Sequence, residues 1–213
     1  MSGTDERQLL LRRLAEAARR QGGENEAPFA EETPVPMGEG ERFARFEKTL
    51  AEAGGMFLAG PAEASLHDLA EALRAEGVTA LFFPEEDEAA RRVAEALVPF
   101  GPFTLTSGAA LRGGECAVTA GFRTAEAAIA ETGTVVETSG GGRTLLPGLL
   151  SDVHVSLLPA ASLVDRMDEA LASLCADRPR NVSFCSGPSK SADIEQTLTV
   201  GAHGPRKLIV LRV

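Results

Sequence analysis

The chain has 213 residues, 44% of them hydrophobic, enough to fill one large core, but it lacks Trp and Tyr, so that core rests on Leu, Val, Ala and 10 Phe. A net charge of −10 repels phosphate backbones, and the densest basic stretch, "RQLLLRRLAEAARR", is interleaved with acids and leucines, which excludes non-specific nucleic-acid binding. No apolar run nears the roughly 20 residues of a membrane helix, no signal peptide is read, and Cys116, Cys175 and Cys185 form no C-x-x-C, so the expectation is a cytoplasmic chain with no cysteine-built metal centre and no cofactor.

Leu10, Leu14 and Ala17 line one face of a first helix, and "QGGENEAPFAEETPVPMGEGE" after it reads as a loop or extended arm. Residues 1–38 are therefore expected to form an appendage, placed to pack on a neighbouring subunit of a homo-oligomer, and residues 39–213 the main α/β domain. A second helix is predicted from Glu41 to Ala53, with Phe43, Phe46 and Leu50 on one side and Gly54-Gly55 as its stop. "MFLA" and "VTALFF" read as buried strands. Around them, "AEASLHDLAEALRAEG" presents Leu66, Leu69, Ala70 and Leu73, and "EEDEAARRVAEALV" presents Ala90, Val93, Ala94 and Leu97. This alternation predicts right-handed βαβ units and a mostly parallel sheet.

"ECAVTAGF" and "AIAETGTVVETS" carry little helical signal, and "DVHVSLLPA" reads as a strand buried on both faces. "SLVDRMDEALASL" follows as a helix with Leu163, Met167, Leu171 and Leu174 as its buried stripe. The chain then runs through strand "NVSFC", loop "SGPSK", short helix "SADIEQTLT" and the strong final strand "RKLIVLRV".

The strand–loop–helix unit at Asn181–Thr199 has two readings. Unpaired amides at a helix start, Gly187 for close approach, hydroxyls of Ser186 and Ser189 and the Lys190 ammonium together suit a phosphate or carboxylate. The same residues also read as a plain turn in which Ser189 or Ser191 caps the helix and Lys190 is solvated. Asp193 and Glu195 are either first-turn acids that suit the helix dipole or polar members of the site.

Glu131, between an apolar run and Thr132-Gly133-Thr134, is a candidate nucleophile or acid–base group, or else a surface residue at a turn. "TSGGGRT" lacks a P-loop ending; it reads as a hairpin tip or lid whose Arg143 can clamp an anion. His67 reads as a surface residue and His154 as a strand histidine, core or ligand-binding, while His203 lies in a Gly-Pro loop. No histidine and acid spacing matches a metal site.

Three stretches in this order, "TAEAAIAETGTVV", "GRTLLPGLLSDVHVSLLPAASLV" and "SFCSGPSKSADIEQTLTVGAHGPRKLIVLRV", resemble the LUD-domain family, the lactate utilization C proteins. The likeness runs from about Thr124 to Val213. It implies a three-layer α/β/α fold similar to the glucosamine-phosphate deaminase, ribose-phosphate isomerase and CoA-transferase group. It also implies a role in oxidising L-lactate to pyruvate with iron–sulfur partner proteins. The family's signature positions fall on Glu131, Thr132, Gly133, Arg143, His154, Ser186, Gly187, Ser189, Lys190, Asp193, Glu195, His203 and Gly204, which marks a site without assigning roles. "AETGT" is also similar to the nucleophilic glutamate turn of CoA transferases of this architecture. Three functional expectations follow: a component of a lactate-oxidation complex binding a small anion, an enzyme on acyl-CoA or phosphorylated metabolites with Glu131 as nucleophile or base, or a non-catalytic assembly module.

Overall fold

The computed structural model describes residues 37–59, 63–106, 117–177, 179–192, 198–200 and 204–213. The predicted N-terminal helix and arm, Cys116, Asp193, Glu195 and His203 lie outside them.

The first described helix, α1 (Glu39–Ala53), buries Phe43, Phe46 and Leu50 at the spacing the sequence gives, and Gly54 ends it at φ 93. Strand β1 (Met56–Leu58), helix α2 (Glu63–Ala75), strand β2 (Ala80–Phe82), helix α3 (Glu88–Leu97) and strand β3 (Thr104–Thr106) continue the expected rhythm. Strands β4 (Thr119–Thr124), β7 (Val153–Leu158) and β12 (Lys207–Arg212) complete a six-stranded sheet of order β1-β12-β7-β4-β2-β3. Every pairing in it is parallel. The α/β class with a parallel sheet is therefore correct.

Side-chain alternation sends the two faces of each strand into different cores. Val153, Val155, Leu157, Ala120, Phe122 and Ile209 pack against Leu69, Leu73, Ala90, Ala94 and Leu97 of α2 and α3. On the opposite face, Leu158, Leu208 and Val210 meet Phe43, Phe46 and Leu50 of α1. Arg42 of α1 is tied to Asp165 at 2.7 Å.

The region with little helical signal forms a second sheet. Strands β5 (Ala127–Ile129), β6 (Thr134–Ser139), β8 (Leu163–Val164) and β9 (Asn181–Cys185) take the order β8-β5-β6-β9, with β6 antiparallel to both neighbours. Its inner face shares the α1 core through Ala128 and Val135. Its outer face packs Ala127, Ile129 and Val136 on Ala170 and Leu174 of helix α5 (Met167–Asp177). Two expectations change here. Leu163–Val164 is strand rather than helix, and Met167 and Leu171 are exposed, because α5 begins later and turns Ala170 and Leu174 inward. The short helix α4 (Leu146–Leu150) lies tight on the main sheet, where a Cβ on Gly121 would meet Pro147 O at 2.3 Å.

The predicted helix "SADIEQTLT" is replaced at both ends by strands: β10 (Lys190–Ala192) pairs antiparallel with β11 (Leu198–Val200).

Candidate functional site

The predicted loops do meet. Thr132 Oγ1 and Thr134 Oγ1 are 2.7 Å apart, and Thr134 Oγ1 lies 2.7 Å from Ser186 Oγ, so a chain of hydroxyls joins "ETGT" to "SGPSK". Both loops are stitched to the end of α1. Gly133, at φ 62, has no room for a Cβ, which would stand 2.2 Å from Leu50 N. Thr49 Oγ1 donates to Ala130 O at 2.9 Å. Gly187 abuts Ala53, and Lys190 Nζ donates to Ala53 O at 3.0 Å. The Ser189 N–H donates to Pro205 O at 2.8 Å, and Gly204 lies against the Ser189 side chain.

These partners change the reading of "SGPSK". No helix starts at Lys190, the Lys190 ammonium caps the carboxyl end of α1, and the Ser189 amide is spent on the chain itself. Strand β9 is antiparallel and outside the main sheet, so the loop after it is not a carboxyl-end crevice. Its contacts, Ala53 just before β1 and Pro205 just before β12, put it at the amino edge of the parallel strands. Glu131 is likewise engaged: its Oε1 accepts the Met167 N–H at 3.0 Å, at the positive start of α5.

Arg143 stands elsewhere. Gly140 and Arg143 exchange backbone hydrogen bonds across Gly141-Gly142, both at positive φ, which makes "GGGR" the tip of a tight hairpin. It lies at the far end of β6 from Thr134, roughly 17 Å away at about 3.4 Å per residue.

At that end a charged cluster sits where ligands are expected. Successive connections leave β2 toward β3 and β4 toward β7, in opposite directions across the sheet. The crevice beyond the carboxyl ends of β2 and β4 is thus the topological switch point. Asp87, after β2, caps α3 by accepting from Ala90 N at 3.0 Å and also holds Thr124 N at 2.7 Å, at the end of β4. Arg123, 3% exposed, bonds Glu126 Oε1 at 2.6 Å and Thr138 O at 3.0 Å and stands 3.6 Å from Asp87. Glu126 Oε2 accepts Thr138 N at 2.8 Å, and Arg143 lies 3.7 Å from Oε1.

Glu126, Thr138 and Arg143 line a cleft of about 220 Å³, closed by Ser173 and Leu174 of α5 and by Pro179. Burial pushes the Glu126 carboxyl above the ordinary carboxylate range, against the pull of Arg123 and Arg143. Among the described residues, Thr138 Oγ1 and Arg123 Nε are buried without a hydrogen-bond partner.

His154 is a core residue, 1% exposed, facing Glu137 of β6, also 1% exposed. Its Nε2 lies 2.9 Å from Glu137 Oε1, an ion-pair distance off the line of a straight hydrogen bond. Ser156 Oγ donates to the same oxygen at 3.0 Å. Burial opposes charge on the imidazole, but Glu137, helped by Cys185, overrides it and pushes the pKa up to about 10. A Cβ on Gly148 of α4 would lie 2.8 Å from His154 Cε1, so the pair is sealed from that side.

Asp87, Arg123, Glu126, Thr138 and Glu137 were not anticipated. Asp87 carries the cap signal ahead of α3. Glu137 is an acid inside the apolar run "TVVETS", and a charged residue at a strand position buried on both sides needs a partner.

The LUD domain model matches residues 103–213, just over half of the 213 residues. The chain belongs to the LUD-domain family. The matched segment runs from just before β3 to the end of β12 and contains Arg123, Glu126, Thr138 and Arg143 of the cluster, though not Asp87, together with both stitched loops. Among curated relatives, Lactate utilization protein C of Exiguobacterium sp. is 44% identical over 91 residues. Lactate utilization protein C of Halalkalibacterium halodurans is 41% identical over 91 residues. Each match spans 40% of this chain and 40% of the relative, so the alignment covers about two fifths of those proteins' length. A crystal structure of a DUF162 family protein from Deinococcus radiodurans matches with a TM-score of 0.58 at 18% identity, over 84% of this LUD chain and 99% of that one. That likeness shows the shared fold. No described helix is long and apolar enough to cross a membrane.

Proposed function

We propose that this LUD-domain chain is a cytoplasmic component of an L-lactate utilization system, that it works beside iron–sulfur partners that carry the electrons, and that it binds a small anionic ligand in the cleft at the switch point. The names of the curated relatives support the system. One observation supports the ligand: Arg143 flanks an open cleft between Glu126, just after β4, and α5, beside the switch point, and it is only loosely held, 3.4 Å from Gly140 O and 3.7 Å from Glu126. The guanidinium keeps N–H donors in a fixed fork for an incoming anion. The N-terminal segment, residues 1–38, is the part of the chain assigned to docking, on the partners or on a second copy.

Deleting the gene should abolish growth on L-lactate while leaving growth on glucose intact. The wild-type gene should restore it and an Arg143→Ala gene should not. Normal growth of the deletion strain on L-lactate rules the assignment out, and full rescue by Arg143→Ala removes the cleft from it.

A further inference from the structure

Sheet edges leave backbone groups unpaired, and the edges of this fold are unequal. In the main sheet the edge strands β1 and β3 are 3 residues long each, and in the second sheet β8 is 2. Edges that short offer little to a neighbour. Strand β9 is 5 residues long, and among the described residues it pairs on one side alone, with β6. Its sequence, Asn-Val-Ser-Phe-Cys, holds no charge and no proline, the devices that keep an edge from pairing.

The direction of its backbone groups follows from β6. The Glu126 N–H donates to Val136 O, and Glu126 Oε2 accepts the Thr138 N–H, so Val136 and Thr138 turn their backbone away from β9. Glu137, between them, turns toward β9, where its register partner is Ser183. Ser183 therefore bonds β6, and the N–H and C=O groups of Val182 and Phe184 point out from the open edge. Side chains alternate as well. Val136 lies in the core under α5, so its partner Phe184 stands on that outer face, with Val182 two residues along. Phe184 is 41% exposed and Val182 37%, whereas Cys185 packs inward against the α1 core.

The two positions with open backbone groups are thus also the two with exposed apolar side chains. What fits them is an antiparallel strand with apolar residues at the same spacing, and β9 itself is such a strand. Joined to a second copy about a two-fold axis through Ser183, Val182 falls opposite Phe184 of the second copy, and Phe184 opposite its Val182. Each pair can exchange both backbone hydrogen bonds and sets a β-branched side chain against an aromatic one on a single face. Arg180, just before the strand, comes opposite Ser186 of the second copy. The two copies of Arg180 stand roughly 20 Å apart at about 3.4 Å per residue, so these like charges do not meet.

We propose that the open edge of β9 is a homodimer interface, in which two copies pair their β9 strands antiparallel about Ser183 and the two second sheets fuse into one. This inference is independent of the ligand assigned to the cleft.

Sedimentation of the full chain between about 1 and 100 μM should show a concentration-dependent dimer. Phe184→Glu places a carboxylate on the joined face and should weaken that dimer at least about hundredfold, with the circular dichroism spectrum unchanged. Val182→Lys acts on the same face and serves if Phe184→Glu does not fold. Ser183→Cys fixes the register: opposite Cα atoms at such a position are about 4.5 Å apart, within disulfide reach, so mild oxidation should give a dimer linked through position 183 in both copies. A wild type that stays monomeric over the whole range overturns the proposal and leaves the edge to a strand of another protein. A dimer that survives both Phe184→Glu and Val182→Lys, or an oxidised Ser183→Cys protein linked only through other cysteines, overturns it as well.

Discussion

Removing the imidazole of His154 should cost this fold more than removing the charge of Glu137. The two groups are each 1% exposed and 2.9 Å apart between the sheets. His154→Leu leaves the Glu137 carboxylate buried with Ser156 as a hydrogen-bond donor, and orphaning one member of a buried pair costs about 3–5 kcal/mol. Glu137→Gln leaves an imidazole that burial drives to its neutral form, so the loss is nearer about 1–3 kcal/mol, the price of an imperfectly satisfied polar group. The double variant His154→Leu/Glu137→Leu should recover most of either loss.

The same pair gives a pH signature. A histidine raised from 6.5 in the unfolded chain to about 10 in the fold stabilises it fully below about pH 6.5, and that stabilisation is lost as pH rises through about 10. At about 1.4 kcal/mol per unit the full effect is on the order of 5 kcal/mol. Urea unfolding of the wild type, His154→Leu, Glu137→Gln and His154→Leu/Glu137→Gln at pH 7 and at pH 9.5, followed by circular dichroism, gives the coupling; the same measurement on His154→Leu/Glu137→Leu checks the recovery, and NMR of the His154 ring gives its titration. A coupling below about 0.5 kcal/mol, or a His154 ring that titrates near 6.5, refutes the reasoning.

Gly133→Ala should lower stability by about 2–4 kcal/mol, because it combines a left-handed backbone with a Cβ 2.2 Å from Leu50 N; thermal unfolding checks this. Lys190→Ala removes the ammonium from Ala53 O and should cost about 0.3–1 kcal/mol while still restoring growth of the deletion strain on L-lactate; a lost rescue by a folded variant would move the anion back to the "SGPSK" loop. Glu131→Ala should cost about 1 kcal/mol through the lost cap on Met167 N, and no acyl adduct should form on Glu131 when the wild type meets acyl-CoA and hydroxylamine, as mass spectrometry will show.

The parallel sheet and its helices were legible because apolar spacing alone specifies them. Phe43, Phe46 and Leu50, like Leu69, Ala70 and Leu73, are buried where the 3.6-residue period puts them. The second sheet was not legible. Its strands β5 and β8 are 3 and 2 residues long, too short for a period to register, and they pair with segments far along the chain. The same limit explains "SADIEQTLT": its acids suit a first helical turn, but the ends of that segment pair with each other as β10 and β11, and a cross-strand partner outweighs weak helical propensity.

That second sheet also explains why the legible signature and the cleft beside Arg143 lie apart. Glycines and hydroxyls at "ETGT" and "SGPSK" are required because the β5–β6 hairpin turn and the loop after β9 must both meet the backbone of α1 without room for a side chain, a packing demand that resembles a binding motif when only the sequence is in view. The residues that line the cleft come from the turn after β4, β6, the hairpin tip, α5 and Pro179 beyond it, and no local spacing links Glu126, Arg143 and Ser173. Only the antiparallel return of β6, which carries Thr138 back to Arg123 at the end of β4, assembles them. Shortening the hairpin by deleting Gly141 and Gly142 would therefore leave both stitched loops in place and still withdraw Arg143 from Glu126, which separates the two regions by experiment: the thermal unfolding temperature should hold within a few degrees while the variant gene fails to restore growth on L-lactate.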